Sequence, residues 1–233
     1  MAVMGEVAER LRRAEDRIAE ACARVGRDPS GVRLLPVTKT HPAEVVRLTV
    51  AAGYRRCGEN RAQELVAKAE ALVDVAVEWA LIGHLQTNKA GLAARWAVEV
   101  QSVESAKLAA ALQRQCEARD RTLDILVEVN TSGEDSKFGL PPAEVESFTA
   151  ALRPLDRLRR RGLMTLALPS PDRARVEPCF RSLVTLQDRL RQRDGGGWDE
   201  LSMGMSGDFE WAVELGSTCV RLGTVLFGAR APG

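Results

Sequence analysis

The sequence predicts a single (β/α)8 barrel spanning residues 1–233, and three observations carry that prediction. Eight short apolar runs alternate with helical patterns, which implies a parallel sheet, and eight strands in this length imply a closed one. The first run ends in Val37-Thr38-Lys39-Thr40, with no glycine-rich turn of the kind an open doubly wound sheet would want. Small or polar residues follow most of the runs, at the end where barrels of this class place their active face.

The elements follow in order. Residues 3–25 read as an amphipathic N-terminal helix, with Val7, Leu11, Ala14, Ile18, Ala21 and Val25 at three- and four-residue spacing. Asp28-Pro29-Ser30-Gly31 ends it. Strands are expected at 34–37, 54–57, 79–82, 98–101, 123–129, 161–164, 200–202 and 219–222, and helices between them at 42–52, 62–72, 88–96, 105–119, 141–152, 172–193 and 208–215. Pro42 and Pro142 sit near helix starts, where a missing N–H costs nothing. Gly195-Gly196-Gly197 forms a loop into the seventh strand. The arginine-rich run from Arg153 to Arg161 reads as a solvated helix end and strand approach, because no aromatic residues interleave it for stacking on bases.

Composition excludes several function classes. With 33 Lys+Arg against 32 Asp+Glu there is no global basic field for nucleic acid or an anionic membrane. The five cysteines are odd in number and scattered, which suits free thiols in a reducing compartment. Neither of the two histidines stands at ligand spacing to a cysteine, so no zinc site is expected. The N-terminal twenty residues are studded with charge and lack the apolar stretch of a signal peptide, and no run approaches the length of a membrane span. The expectation is a soluble cytoplasmic protein.

The chemistry gathers at the strand ends. The seventh strand runs into Ser202-Met203-Gly204-Met205-Ser206-Gly207 and the eighth into Arg221-Leu222-Gly223-Thr224. Two such ends can build a cup of backbone N–H groups for a phosphate, with Gly204, Gly207 and Gly223 admitting close approach. Two ordinary strand-to-helix turns, with Ser206 a helix cap, is the alternative. Lys39 follows the first strand directly. At a barrel mouth its ammonium is drawn out of bulk water, and the neutral amine forms Schiff bases with aldehydes. An ion pair with Glu59, or a side chain that simply reaches solvent, is the competing reading. Lysine and phosphate cup together point to a phosphorylated aldehyde, either a sugar phosphate or pyridoxal 5′-phosphate (PLP). Arg221 lies two residues before Gly223, on the same face of the strand. From there it could meet a pyridine nitrogen, and being permanently protonated it would leave that nitrogen without a proton.

At these residues the chain resembles a known family. The carriers are Lys39 in LLPVTKT, GEN-x-x-QE at Gly58 to Glu64, IG-x-LQ-x-NK at Ile82 to Lys89, and VNTSGEDSKFG at Val129 to Gly139. GLM at Gly162 to Met164, SMGMSGDFEWAVELGST at Ser202 to Thr218 and VRLGTVLFG at Val220 to Gly228 complete the set. Together, from about Leu34 to Arg230, they look like the PLP homeostasis proteins, also called PLP-binding or proline synthetase co-transcribed proteins. The resemblance implies a barrel like the N-terminal domain of alanine racemase (fold type III), with PLP bound as an aldimine on Lys39. It implies Ser206, Gly207, Gly223 and Thr224 at the phosphate, Arg221 at the pyridine nitrogen, and Asn60 and Met203 along the ring. Two departures stand out: many members carry histidine where this chain has Ala80, and an aromatic where it has Arg61.

A racemase of this fold needs a second acid/base on the opposite face of the cofactor, a tyrosine from another domain in alanine racemase. The single tyrosine here, Tyr54, opens the second strand and is poorly placed for that role. Arg221 at the nitrogen would also weaken the ring as an electron sink. The expectation is therefore a PLP carrier or regulator handing PLP to apo-enzymes, and a monomer, since the racemase-type second domain is missing after the eighth strand. A PLP-dependent amino-acid racemase is the alternative, and a sugar-phosphate lyase using Lys39 a third reading. Lys137 is read as a solvated loop lysine rather than a second phosphate ligand.

Overall fold

The computed structural model describes residues 2–134 and 137–228. Asp135 and Ser136 of the VNTSGEDSKFG stretch, and the end of the family resemblance at Arg230, lie outside the described residues. Helix α1 (Ala2–Arg24) precedes eight strands: β1 (Arg33–Pro36), β2 (Arg56–Glu59), β3 (Glu78–Leu81), β4 (Ala97–Val103), β5 (Leu123–Glu128), β6 (Leu158–Met164), β7 (Glu200–Ser202) and β8 (Cys219–Leu222). Between them run α2 (Ala43–Ala51), α3 (Ala62–Ala71), α4 (Ala90–Trp96), α5 (Ala106–Glu117), α6 (Val145–Ala151), α7 (Arg173–Asp194) and α8 (Phe209–Glu214), and α9 (Thr224–Phe227) follows β8.

All ladders are parallel, in the order β1-β8-β7-β6-β5-β4-β3-β2. The ring closes between β1 and β2 through a single bridge, Val37 with Gly58, where the Thr38 N–H donates to the Gly58 carbonyl at 3.0 Å. The fold is a (β/α)8 barrel, as the alternation of apolar runs and helical patterns predicts.

Period-two alternation sorts the strand residues. Leu201, Leu163, Val100 and Ile125 face outward into a large apolar layer shared with α3 to α8. Inside, Leu35, Val37, Ala80, Ile82 and Cys219 form a small apolar plug. Beneath it the barrel floor is ionic: Arg33 and Arg56 both donate to Glu99 (3.0 and 2.8 Å), and Arg33 also donates to Glu200 at 2.9 Å. Burial works against the Glu99 charge, yet Arg33, Gln101 and Arg56 together hold its carboxyl below the ordinary range.

Two differences from the sequence reading bear on the site. Strand β6 starts at Leu158, so the arginine run is strand as well as approach, and three of its cations are paired there, Arg157 with Asp120 at 2.8 Å, Arg159 with Asp124 at 2.6 Å and Arg161 with Glu200 at 3.3 Å, while Arg160 lies over the Trp198 ring. The sequence reading also missed α9, a single turn too short to show helical periodicity. Because α9 cannot cover the outer face of the closing strands, α1 does so. Leu11, Ala14, Ile18 and Ala21 pack with Leu34, Val220, Leu222, Leu226 and Phe209, while Arg10 donates to the Leu226 carbonyl at 3.3 Å and Arg17 to Glu210 at 2.8 Å.

All five cysteines are buried and free. Among the described residues, no helix is long and apolar enough to cross a membrane.

Candidate functional site

A cavity of about 560 Å³ opens at the C-terminal ends of the strands, and Lys39, Asn60, Ser206, Gly207, Arg221, Gly223 and Thr224 all line it. Met203 does not. Ser202, its neighbour, points into the barrel to Gln101 and Arg221, so alternation turns Met203 outward into the fully buried layer beneath the helices. Met205 lines the cavity instead. Gly204 is likewise a packing glycine: its φ is 97°, and a Cβ there would stand 2.7 Å from that of Ala212 on α8.

Lys39 sits on a turn that is held from below. Thr40, next in sequence, has φ 66°, a left-handed conformation that costs energy for a non-glycine residue. Its N–H donates to Glu64 at 2.6 Å. Lys68, almost fully buried, donates to the Thr38 carbonyl at 2.7 Å, to Glu59 at 2.6 Å and to Glu64 at 2.7 Å. The Thr38 hydroxyl donates to Glu59 at 2.6 Å. Burial pushes the Glu59 carboxyl up, against the pull of Lys68 and Thr38. The glutamates of GEN-x-x-QE thus serve the lysine turn; Lys68, their partner, was missed because nothing in an exposed-looking helical pattern marks it. Asn60 is placed from the other side. Gly83 lets β3's end lie directly on Asn60, whose carbonyl and side-chain amide fill the space a Cβ would need.

The cup at β7 and β8 is open. Among the described residues, the N–H groups of Ser206, Gly207, Gly223 and Thr224 have no hydrogen-bond acceptor, and a Cβ on Gly207 would meet nothing within 4 Å. The Ser206 hydroxyl does not cap α8. It accepts from Val225 N–H at 3.3 Å and so ties the β7 turn to α9. Asp208 accepts from Met205 N–H at 2.6 Å and fixes the same turn. Four N–H groups without acceptors, on residues that line one cavity, are the kind of donors an anion takes.

Arg221 projects into the barrel, 4 % exposed. It donates to the Ser202 hydroxyl at 2.5 Å and to the Thr165 carbonyl at 2.7 Å. Ser202 donates to Gln101 Oε1 at 2.7 Å, and Gln101 donates to Glu99. A continuous hydrogen-bonded chain therefore runs from the cavity wall to the ionic floor. Burial pulls the guanidinium's pKa down, and Glu128 and Asp208 oppose it; arginine at this site stays cationic.

The opposite wall holds residues that sequence reasoning did not single out. Glu128 ends β5, is buried, and lines the cavity. Glu104 accepts from Gly139 N–H at 2.5 Å and contacts His84 Nδ1 at 2.7 Å, and His84 stacks on Phe138 with centroids 3.9 Å apart. Phe138 and Leu166 edge the mouth. Ala80 is fully buried in the plug one layer below Ile82, outside the cavity lining, whereas Arg61 is exposed at its rim. Tyr54 packs with the α1 layer, away from the cavity. Lys137 is anchored, donating to the Ala167 carbonyl at 3.0 Å and pairing with Glu134 at 2.5 Å.

The alanine racemase N-terminal domain family matches residues 10–231. The pyridoxal phosphate homeostasis protein of Pseudomonas aeruginosa is 42 % identical over 230 residues, covering 99 % of this chain and 98 % of its own. That of Aquifex aeolicus is 40 % identical over 222 residues, covering 95 % and 97 %. PipY of Synechococcus elongatus, solved with PLP bound, superposes with a TM-score of 0.82 at 36 % identity, covering 95 % of this chain and 100 % of its own. Alanine racemase of Clostridium difficile shares the fold, with a TM-score of 0.77 at 13 % identity over 98 % of this chain and 57 % of its own. The chain belongs to the alanine racemase N-terminal domain family and, within it, to the pyridoxal phosphate homeostasis proteins.

Proposed function

We propose that this chain binds PLP in PLP homeostasis, holding it as a Schiff base on Lys39 and releasing it to apo-enzymes without turning over a substrate. The observation that carries the reading is the convergence of Lys39, the open N–H cup and buried Arg221 on one cavity. The fit is good: about 560 Å³ falls within the range of small-ligand pockets, and the donors of the cup suit a phosphate. When bound, PLP supplies an aldehyde that condenses with an amine.

The chain's own residues bind and orient. Ser206, Gly207, Gly223 and Thr224 would take the phosphate, and Arg221, fixed by Ser202 and Thr165, would donate to the pyridine nitrogen. Asn60 would face the ring from the second strand's end; Met205, not Met203, would lie nearest it on the seventh. The Lys68–Glu59–Glu64 cluster holds the turn that presents Lys39. Tyr54, off the cavity, is unavailable as a second acid/base, which favours carriage over racemisation. A cytoplasmic monomer organised as one barrel is part of the same proposal.

A visible-absorbance titration with PLP tests it. Wild type is expected to develop a Schiff-base band that borohydride traps on Lys39, and Lys39→Ala to lose it; a colourless wild type would sink the reading. Transfer of bound PLP to an apo-enzyme, without deuterium uptake at Cα of added amino acids, would support the carrier role against racemisation.

A further inference from the structure

Glu128 is a buried group in the cavity wall that the proposed phosphate and ring contacts leave unused. It is 4 % exposed, and its Oε2 is buried without a hydrogen-bond partner among the described residues. The neighbouring groups do not meet that need. Arg221 directs its donors to Ser202 and Thr165, and Glu104 is itself an acceptor, engaged with His84 and Gly139. A buried carboxylate in a cavity wall, with an oxygen that no described residue satisfies, is a demand for a donor from a ligand. We infer that this wall of the cavity is a binding site for a primary ammonium group, with the Glu128 carboxylate as its anchor.

The chemistry favours an ammonium over other cations. A divalent metal wants several oxygen ligands, and no group of three or more candidate ligands exists among the described residues. A guanidinium takes a carboxylate through two parallel bonds, whereas here one of the two oxygens, Oε2, is sunk in the wall. An ammonium is a compact charge with rotatable donors that one carboxylate can hold. The second carboxylate, Glu104, adds negative potential at the same wall, and half-exposed Phe138 with Leu166 gives an apolar rim for the carbon chain behind the charge. The site thus lies across the cavity from the anion cup, and it stands on this geometry whether or not PLP fills the cup.

Two sources share the chemistry, the α-ammonium of a free amino acid and the side-chain ammonium of a lysine. Calorimetric titration of the full-length chain without added PLP, at pH 8, separates them with L-alanine and Nα-acetyl-L-lysine as probes. At least one probe is expected to bind, and Glu128→Gln to weaken it about tenfold or more. Glu128→Asp, which keeps the charge, is expected to retain part of the affinity. Burial, with Glu104 repulsion, pushes the Glu128 carboxyl up to about 7, so wild-type affinity is expected to fall from pH 8 to pH 6 as the anchor protonates. His84, Arg221 and Lys39 also line this space, Glu104 lies close enough to act on Glu128, and the pH profile of Glu128→Gln measures their share. Absence of binding by both probes, or equal binding by Glu128→Gln, would overturn the inference. A parallel PLP absorbance titration keeps the two proposals separable: PLP binding without ammonium binding defeats only this one, and the reverse defeats only the homeostasis reading.

Discussion

A methyl group at Gly83 would overlap the backbone carbonyl and side-chain amide of Asn60, atoms that cannot swing aside as a flexible chain end could. Gly83→Ala is expected to cost upward of about 2 kcal/mol and to displace Asn60 from the cavity wall. Thermal melts and a PLP titration of the same variant check both effects; an unchanged melting temperature with unchanged PLP affinity would contradict the contact. At this scale the sequence was legible where chemistry is unusual for its position. Lys39 after an apolar strand and Arg221 within one are costly residues to place there, and both line the cavity. Met203 was misread because small and apolar residues carry no chemical signal of direction; only the inward bonding of Ser202 settles which way the strand faces. Glu128 was overlooked because it lies inside an apolar run, where a carboxylate's surroundings decide its role.

Helix α1 does the work that α9 is too short to do. Its apolar stripe covers β1, β8 and α9, and α9 presents Thr224 to the cavity while its Val225 N–H holds Ser206. Leu11, 1 % exposed, lies in that contact. Leu11→Ala is expected to lose about 2–5 kcal/mol of stability. It should also weaken PLP binding, measured by denaturant unfolding beside an absorbance titration. Loss of stability with no change in affinity would show that the cup does not depend on this packing. The stripe of α1 was plain from its three- and four-residue spacing, and the seven inter-strand helices from theirs. What α1 covers was not, because amphipathicity marks a buried face without naming its partner.

Over the whole molecule, the barrel interior carries, beside its small apolar plug, a polar chain from floor to cavity, and its ionic floor makes stability sensitive to acid. Glu99 carries two arginines and its carboxyl is held below the ordinary range. A group depressed in the folded state contributes stability that is present above its unfolded pKa and is lost as pH falls through the folded one. Melting temperature is therefore expected to drop as pH is lowered through and below the ordinary carboxylate range, and Glu99→Gln to flatten that part of the profile. Glu99→Ala, which takes a shared anion from part-exposed Arg33 and Arg56 and leaves them Glu200 and Glu78, is expected to cost about 1–3 kcal/mol at neutral pH. A profile identical in wild type and Glu99→Gln would place the acid sensitivity elsewhere. The eight-strand architecture was readable from alternation alone, but the ionic floor was not: Arg33, Arg56, Glu99 and Glu200 are far apart in sequence and look like ordinary flanking charges until the sheet closes.

The join between β1 and β2 gives that closure an uneven character. Six neighbouring strand pairs are laced by ladders of three or more register pairs and β7–β8 by one, whereas this join has a single bridge outside the strands and, just above it, the side-chain clasp of Lys68 on Thr38 and Glu59. The ring is fastened there like a bracelet, by a catch rather than a weld, and Lys39 and Asn60 stand on its two sides. Lys68→Met would undo the catch while leaving the weld intact. Amide hydrogen exchange is then expected to quicken at Val37, Thr38 and the residues around Gly58 while β4 and β5 stay protected; uniform exchange around the ring would mean that the bridge alone suffices. If Lys39 and Asn60 hold a ligand as proposed, they do so from the two sides of a catch, and loosening one side chain, Lys68, is expected to slacken that hold.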